Sequence, residues 1–171
     1  MVILLIGLLG SGKTSIATLL AKKLGFVCIE LEDYVLDKTP FKTITEAYNN
    51  KISIWKETEL EATKELSKKD DAVIILGGAT VENNLNILYF KENSPDLKIV
   101  YLETKPQVLT DRLVHLYDEF KKEGPKLVLK TMEKHYKKRD MLYREYADLV
   151  INTEDSTPEE ATDEILEKLN K

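Results

Sequence analysis

The feature that most limits the fold of this chain is its N-terminal sequence, MVILLIGLLGSGKT. The apolar run at 2–6 is typical of a buried strand, and GLLGSGKT at 7–14 matches the pattern G-x-x-x-x-G-K-[S/T] in full. Gly10 and Gly12 allow the backbone to curl around one anion, and a helix predicted to begin near Lys13 adds its positive end. Strand, loop and helix in this order predict an α/β domain that binds a nucleoside triphosphate. A glycine-rich turn without a ligand is the alternative.

The side chains of this loop suit phosphate chemistry. Lys13 can reach the β- and γ-phosphates, and the Thr14 hydroxyl can ligate Mg²⁺. The residues predicted to contact the triphosphate are Gly10, Ser11, Gly12, Lys13, Thr14 and Ser15.

Targeting signals and charged partners receive no support from the sequence. The N-terminal apolar run lacks a basic flank and a small-residue cleavage site, and it is far shorter than the ~20 residues of a membrane span. The net charge of -5 gives no argument for nucleic acid or an anionic membrane as a partner. The single cysteine, Cys28, lies in an apolar run, so we interpret it as a small buried side chain in a reducing, cytoplasmic setting.

Apolar runs suited to buried parallel strands recur along the chain, at 2–6, 26–29, 72–76, 98–102 and 148–152. Helical patterns separate these runs, and strands that alternate with helices predict a parallel sheet covered on both faces. The length of 171 residues suits one domain. The polar stretches at 38–52 and 114–126 fit the alternation poorly, so we expect a substrate-binding region and a lid there.

Polar and glycine residues follow two of the predicted strands. Glu30 and Glu32 end the second strand with i, i+2 spacing, so an extended chain points both carboxylates the same way. Ligands of open α/β sheets gather at these strand ends, which favours metal and acceptor roles over a solvated acidic cluster. Asp33 is predicted to cap the next helix. Gly77 and Gly78 end the third strand and either leave room for a ligand or form a plain turn.

One later helix carries a charged residue on its apolar face. The residues at i, i+4, i+7, i+11 and i+14 of this face are Met132, Tyr136, Arg139, Tyr143 and Tyr146. Because an unpaired buried charge is costly, Arg139 needs an anionic partner, which is either a ligand or a structural carboxylate.

Other ionisable residues allow a less specific interpretation. Glu59 lies one turn after Trp55 on the apolar side of its helix, and Lys56 precedes it by three residues. The two can form an ordinary surface pair, or Lys56 can lie in a cleft and meet a ligand carboxylate. His115 and His135 have no partner spacing and are predicted to lie at the surface.

Taken together, the segments resemble the shikimate kinase family over nearly the whole chain. The phosphate loop is shared by many enzymes, whereas WKETE followed by R-x-x-L-Y-x-x-x-A-D in KRDMLYREYADLVINT is much more specific. The resemblance implies an α/β, single-domain P-loop kinase fold over 1–171, with five parallel strands in the order 2-3-1-4-5 and helices on both faces. It also implies a substrate-binding insertion at about 32–62, a lid at about 114–126, and transfer of the γ-phosphoryl group of ATP to a hydroxyl of shikimate. We expect the protein to be a monomer.

The resemblance also implies roles for individual residues. The catalytic residues it implies are Lys13, Glu32 and Arg139, and Glu30 is expected to join Thr14 at Mg²⁺. The acceptor is expected to contact Glu32, Lys56, Gly77, Gly78 and Arg139. The adenine of ATP is expected to lie against Arg112 and the Pro158 region.

Several positions depart from the pattern of the family. Glu30 and Glu32 replace aspartates, Ala79 replaces a third glycine, and Lys56 replaces an arginine and so loses its bidentate fork. The lid lacks the usual Arg-Pro-Leu-Leu, and we take Lys126 as the replacement for its phosphate-binding arginine. These departures leave two alternatives open, a kinase for a nucleotide or another hydroxy compound and a nucleotide-binding protein without catalysis.

Overall fold

The computed structural model describes residues 1–169, which alternate between strands and helices as predicted. The strands are β1 (Val2–Ile6), β2 (Val27–Glu30), β3 (Ala72–Ile75), β4 (Leu97–Glu103) and β5 (Leu149–Asn152). The helices are α1 (Lys13–Leu24), α2 (Leu31–Leu36), α3 (Ile44–Leu66), α4 (Asn84–Asn93), α5 (Pro106–Leu116), α6 (Asp118–Glu123), α7 (Pro125–Tyr146) and α8 (Pro158–Leu169). A short 3-10 helix, Thr80–Glu82, precedes α4.

The strands form one parallel sheet in the order β2-β3-β1-β4-β5, which confirms the predicted order. In the register of the central strand, Val2 of β1 lies opposite Ala72 of β3 and Leu97 of β4. The chain leaves β1 toward one side of the sheet and later returns to its other side, so the strand order reverses beside β1. A crevice opens at such a reversal, at the carboxyl ends of the strands.

Alternate residues of β1 point into two separate cores. Leu4 and Ile6 face a core shared with α3, α5 and α7, and Ile3 and Leu5 face a core shared with α1 and α8. Every residue of β1 is buried. This double burial explains why the strand reads as a continuous apolar run rather than as an alternating one.

Both polar stretches of the sequence are largely helical. Most of the first belongs to α3, where Thr43 accepts a hydrogen bond from the Glu46 N–H at 3.1 Å and the helix kinks at Lys51 (φ -152°, ψ 71°). The second contains the end of α5, all of α6 and the start of α7, with Gly124 between the last two at φ 89°.

Two expectations about β2 and its surroundings are wrong. Because β2 is an edge strand, Cys28 is exposed and Val27 is 53% exposed, whereas the sequence predicted a buried strand. Asp33 does not cap the next helix, since α2 begins at Leu31 and places Asp33 within its first turn, with Glu30 in the cap position. No helix within residues 1–169 is long and apolar enough to cross a membrane.

Candidate active site

The phosphate loop links β1 to α1 in the geometry that its glycines permit. Gly10 has a φ of 86° and Gly12 a φ of 93°, and side chains rarely adopt either value. Gly12 directly precedes the first residue of α1, Lys13. The free N–H groups of this helix end therefore point into the loop, where they can bind an anion.

Lys13 lies across the mouth of the loop. Its Nζ donates hydrogen bonds to the carbonyl oxygens of Gly7 at 3.0 Å and Leu8 at 3.1 Å. Burial lowers the pKa of Lys13 to about 8, although nearby Glu32 and Glu30 act in the opposite direction. A side chain held in this way can follow phosphate charge with little reorganisation.

Residues from the C-terminal part of the chain hold the loop in place. The Thr153 hydroxyl donates to the Ser11 carbonyl at 3.1 Å. Arg112 donates to the Gly10 carbonyl at 3.2 Å and, through its other terminal nitrogen, to the carbonyls of Thr153 and Glu154. Arg112 also lines a cavity of about 310 Å³ beside the loop, together with Pro158 and Ser156.

A larger cleft of about 450 Å³ opens where the carboxyl ends of β1, β2 and β3 meet α7. It contains five of the six predicted loop residues, the strand-end acids, the glycine turn and the helix arginine, whereas the sixth loop residue, Ser11, lines the smaller cavity. The residues of this group that line it are Gly10, Gly12, Lys13, Thr14, Ser15, Glu30, Glu32, Gly77, Gly78 and Arg139.

The two acids at the end of β2 face the loop. The Thr14 hydroxyl donates to Glu30 Oε2 at 3.3 Å, so a hydroxyl and a carboxylate lie together where a cation beside the phosphates would bind. Among residues 1–169, no group of three or more His, Cys, Asp or Glu side chains could hold a metal ion alone. Burial raises the pKa of Glu32, and Lys13 acts against that shift.

Gly77 leaves the space that Glu32 occupies. A Cβ added at Gly77 would lie 2.1 Å from Glu32 Oε1 and 2.7 Å from Glu32 Cδ. Because Gly77 does not have a positive φ, its backbone does not require glycine, and only the space does. The space at Gly77 is therefore taken by the Glu32 side chain, and contact of this turn with a ligand stays a prediction.

Of the two partners that the sequence left open for Arg139, the structure shows the carboxylate, and the ligand contact stays a prediction. The Arg139 side chain is 13% exposed, and its Nε donates to Glu82 Oε1 at 2.7 Å, so a structural carboxylate is its partner. Its NH1 nevertheless faces the cleft wall, where a Cβ added at Gly78 would lie 3.2 Å from it. The Tyr143 hydroxyl donates to the Gly78 carbonyl at 2.7 Å and fixes that wall against α7.

Two predicted cationic contacts lie outside the cleft. Lys56 and Lys126 are exposed, and neither is among the described residues that line the two cavities. Their roles toward an acceptor or a phosphate remain predictions.

The structure corrects the interpretations of Glu59 and His135. Glu59 forms no surface ion pair with Lys56, because it is 7% exposed and accepts hydrogen bonds from the Thr80 hydroxyl at 2.9 Å and from Asn86 Nδ2 at 3.1 Å. His135 lines the large cleft instead of the outer surface. Its spacing of four residues from Arg139 already carried this signal, since such a pair shares one helix face.

Glu82 is the important residue that the sequence did not reveal. It belongs to a 3-10 helix of three residues, which is too short for any periodic pattern. Its carboxylate binds both Arg139 and Lys138 of α7. Only the folded chain brings these residues, which are more than fifty positions apart, into contact.

Comparisons with known proteins agree with this architecture. The family model for shikimate kinase matches residues 9–170. A shikimate kinase from Thermodesulfovibrio yellowstonii is 33% identical over 99% of this chain and 95% of that protein, and one from Chlorobaculum tepidum is 29% identical over 99% and 90%. The structure of shikimate kinase from Acinetobacter baumannii in complex with shikimate has a TM-score of 0.84 and 25% identity, and the match covers 99% of this chain and 92% of that one. The strand order, the phosphate loop and these matches over nearly the whole chain lead to one conclusion: the chain belongs to the shikimate kinase family.

Proposed function

We propose that this protein transfers the γ-phosphoryl group of ATP to a hydroxyl of shikimate. The observation that carries the proposal is that Lys13, Glu32 and Arg139 line a single cleft formed around the phosphate loop. A phosphate-binding lysine, a carboxylate and an arginine in one cleft can receive a triphosphate, a hydroxyl and a carboxylate together. Shikimate carries both of the last two groups, and the relative from Acinetobacter baumannii binds it.

The phosphate loop and Lys13 supply positive charge to the transferring group. Phosphoryl transfer requires little covalent chemistry from a protein, so positioning and charge stabilisation account for most of the catalysis. The two carbonyl oxygens that Lys13 now contacts belong to the loop itself, so the ammonium group needs only a small movement to reach a phosphate.

Glu32 is proposed to orient the acceptor hydroxyl and to accept its proton. The raised pKa of Glu32 makes this carboxylate a better proton acceptor than an exposed glutamate. Because the ionised form is the one that accepts, we expect activity to rise with pH through the raised pKa of Glu32.

Arg139 is proposed to bind the acceptor carboxylate beside Gly78. An arginine presents several N–H groups in a planar fork, so a contact to Glu82 on one edge leaves nitrogens for a ligand. The predicted contribution of Lys56 requires its exposed side chain to move into the cleft when the acceptor binds.

Mg²⁺ is proposed to bind beside Thr14 and Glu30. The 3.3 Å contact between these side chains places two oxygen ligands together, and Mg²⁺ usually takes one or two protein ligands along with phosphates and water. When bound, the ion would neutralise charge on the β- and γ-phosphates.

The monomeric state and the cytoplasmic location also remain predictions.

A coupled assay of ADP release, with ATP, Mg²⁺ and shikimate, tests the proposal. We expect shikimate-dependent turnover in the wild type, its loss in Lys13→Met, and a large decrease in Glu32→Gln. Turnover that requires shikimate would also exclude the alternative that this protein binds nucleotide but has no catalytic activity. If the protein binds an ATP analogue but does not turn over shikimate, the acceptor assignment is wrong, and nucleoside monophosphates and other hydroxy acids become the candidates.

A further inference from the structure

Glu82 bridges two cations of α7 at the acceptor end of the cleft. Its Oε1 accepts from Arg139 Nε at 2.7 Å, and its Oε2 accepts from Lys138 Nζ at 2.5 Å. Burial acts to raise the pKa of Glu82, but the contacts with Lys138 and Arg139 outweigh it and lower the pKa. The residue is therefore a carboxylate at neutral pH, next to the arginine proposed to bind the carboxylate of the acceptor.

The edge of the guanidinium that Glu82 uses determines what it can do. Glu82 contacts Nε, whereas NH1 lies on the side of Gly78 and the Tyr143 hydroxyl, at the wall of the cleft. A carboxylate on the Nε edge fixes the plane of the guanidinium but leaves its terminal nitrogens directed at the cleft. Since arginine has a long flexible stem, holding its head group in place reduces the entropy lost when a ligand binds.

The charges around Glu82 also indicate that it positions Arg139 and does not compete with the acceptor for this arginine. Two cations, Arg139 and Lys138, share this one carboxylate, so the cluster keeps a net positive charge. Burial, with Arg139 and Lys134 nearby, lowers the pKa of His135, so its imidazole does not add charge at neutral pH. The Arg139 side of the cleft therefore keeps a positive charge for an anionic acceptor, whereas the acids Glu30 and Glu32 line the cleft beside the phosphate loop.

We propose that Glu82 is a positioning residue for the acceptor: it holds Arg139 by its Nε edge and directs the terminal nitrogens at the acceptor carboxylate. This inference rests on the proposed function. Within residues 1–169, Lys13 and Arg139 are the lysine and arginine residues that line the cleft, and Lys13 belongs to the phosphate side. Acceptor affinity should therefore depend strongly on how Arg139 is held.

Steady-state kinetics of Glu82→Ala and Glu82→Gln, with shikimate and with its uncharged methyl ester, test the inference. For Glu82→Ala we expect the KM for shikimate to rise about tenfold, with kcat and the KM for ATP changed less than about twofold. Glu82→Gln should recover much of the loss, because its amide oxygen can still accept from Nε. With the methyl ester, the KM should not rise in Glu82→Ala, because Glu82 acts through the acceptor carboxylate and the ester has no charged carboxylate. Glu92→Ala, an exposed position on α4, is the matched control and should change nothing.

Each result decides between alternatives. If the wild type does not turn over shikimate, the proposed function fails and this inference fails with it. If the wild type is active but Glu82→Ala leaves the KM unchanged, the positioning role alone is wrong. A lower KM in Glu82→Ala would instead show that Glu82 competes with the acceptor for Arg139. A loss of the same size with the ester would mean that Glu82 merely supports the fold, and melting temperatures of both variants check this independently.

Discussion

The lowered pKa of Lys13 predicts that nucleotide binding takes up protons. In the protein without nucleotide, burial lowers the pKa of Lys13 to about 8. About half of the molecules therefore carry a neutral Lys13 at pH 8, and about one in ten at pH 7. A bound triphosphate places negative charge beside the ammonium group and raises its pKa again. Binding should therefore take up about 0.5 proton per nucleotide at pH 8 and about 0.1 at pH 7.

The same equilibrium sets the direction in which affinity depends on pH. Because the neutral form of Lys13 must gain a proton before it can contact phosphate, affinity falls as pH rises above about 8. Between pH 7 and pH 9 the loss is about tenfold, which corresponds to about 1.4 kcal/mol of binding free energy.

Isothermal titration calorimetry with a non-hydrolysable ATP analogue measures this uptake. Titrations at pH 8 in two buffers with different ionisation enthalpies give the number of protons, and repeats from pH 7 to pH 9 give the change in affinity. Lys13→Met should abolish the uptake, whereas Lys22→Met, an exposed position on the same helix, should retain it. Binding without proton uptake in the wild type at pH 8 would refute the assignment of a lowered pKa to Lys13.

Three further substitutions test other parts of the site. Gly77→Ala should displace the Glu32 side chain and lower kcat/KM about 100-fold while the melting temperature stays near that of the wild type, because the backbone tolerates alanine there. Glu59→Ala should lower the free energy of unfolding by about 2–4 kcal/mol in urea denaturation, since it removes the carboxylate that accepts from two buried groups, the Thr80 hydroxyl and Asn86 Nδ2. The exposed control Glu57→Ala should cost less than about 0.5 kcal/mol. Arg112→Lys should raise the KM for ATP about tenfold and leave the KM for the acceptor unchanged, because the guanidinium reaches these carbonyl oxygens with two separate nitrogens and a single ammonium nitrogen cannot occupy both positions.

Sequence patterns predicted the parts of the molecule that depend on local order. The strand, loop and helix that contain Lys13 follow from residue spacing alone, and the stripe on α7 correctly placed Arg139 on its apolar face. The apolar run at β2 was misleading, because a short run of this kind has the same composition in an edge strand as in a central one. Cys28 was expected to be buried for this reason.

The partners of the site residues could not be predicted, because they depend on packing between distant segments. Glu82 reaches Arg139 only after the turn at the end of β3 has docked against α7. The partners of Glu59 could not be predicted for a similar reason, since Thr80 and Asn86 come from the segment packed over its helix. Spacing along one helix indicates which face a side chain occupies, but it does not identify the group that meets it.

The contacts that hold the phosphate loop have a consequence for how the protein folds. The hydrogen bond from Thr153 to Ser11 joins residues 142 positions apart, and Arg112 adds links to Gly10 across 102 positions. Contacts of such long sequence separation form late, because a long segment of chain must be ordered first. The nucleotide site is therefore encoded near one end of the chain but is completed only when β5 has joined the sheet. Nucleotide added during refolding should stabilise the finished protein without speeding its early steps, because a ligand stabilises only the states that it can bind.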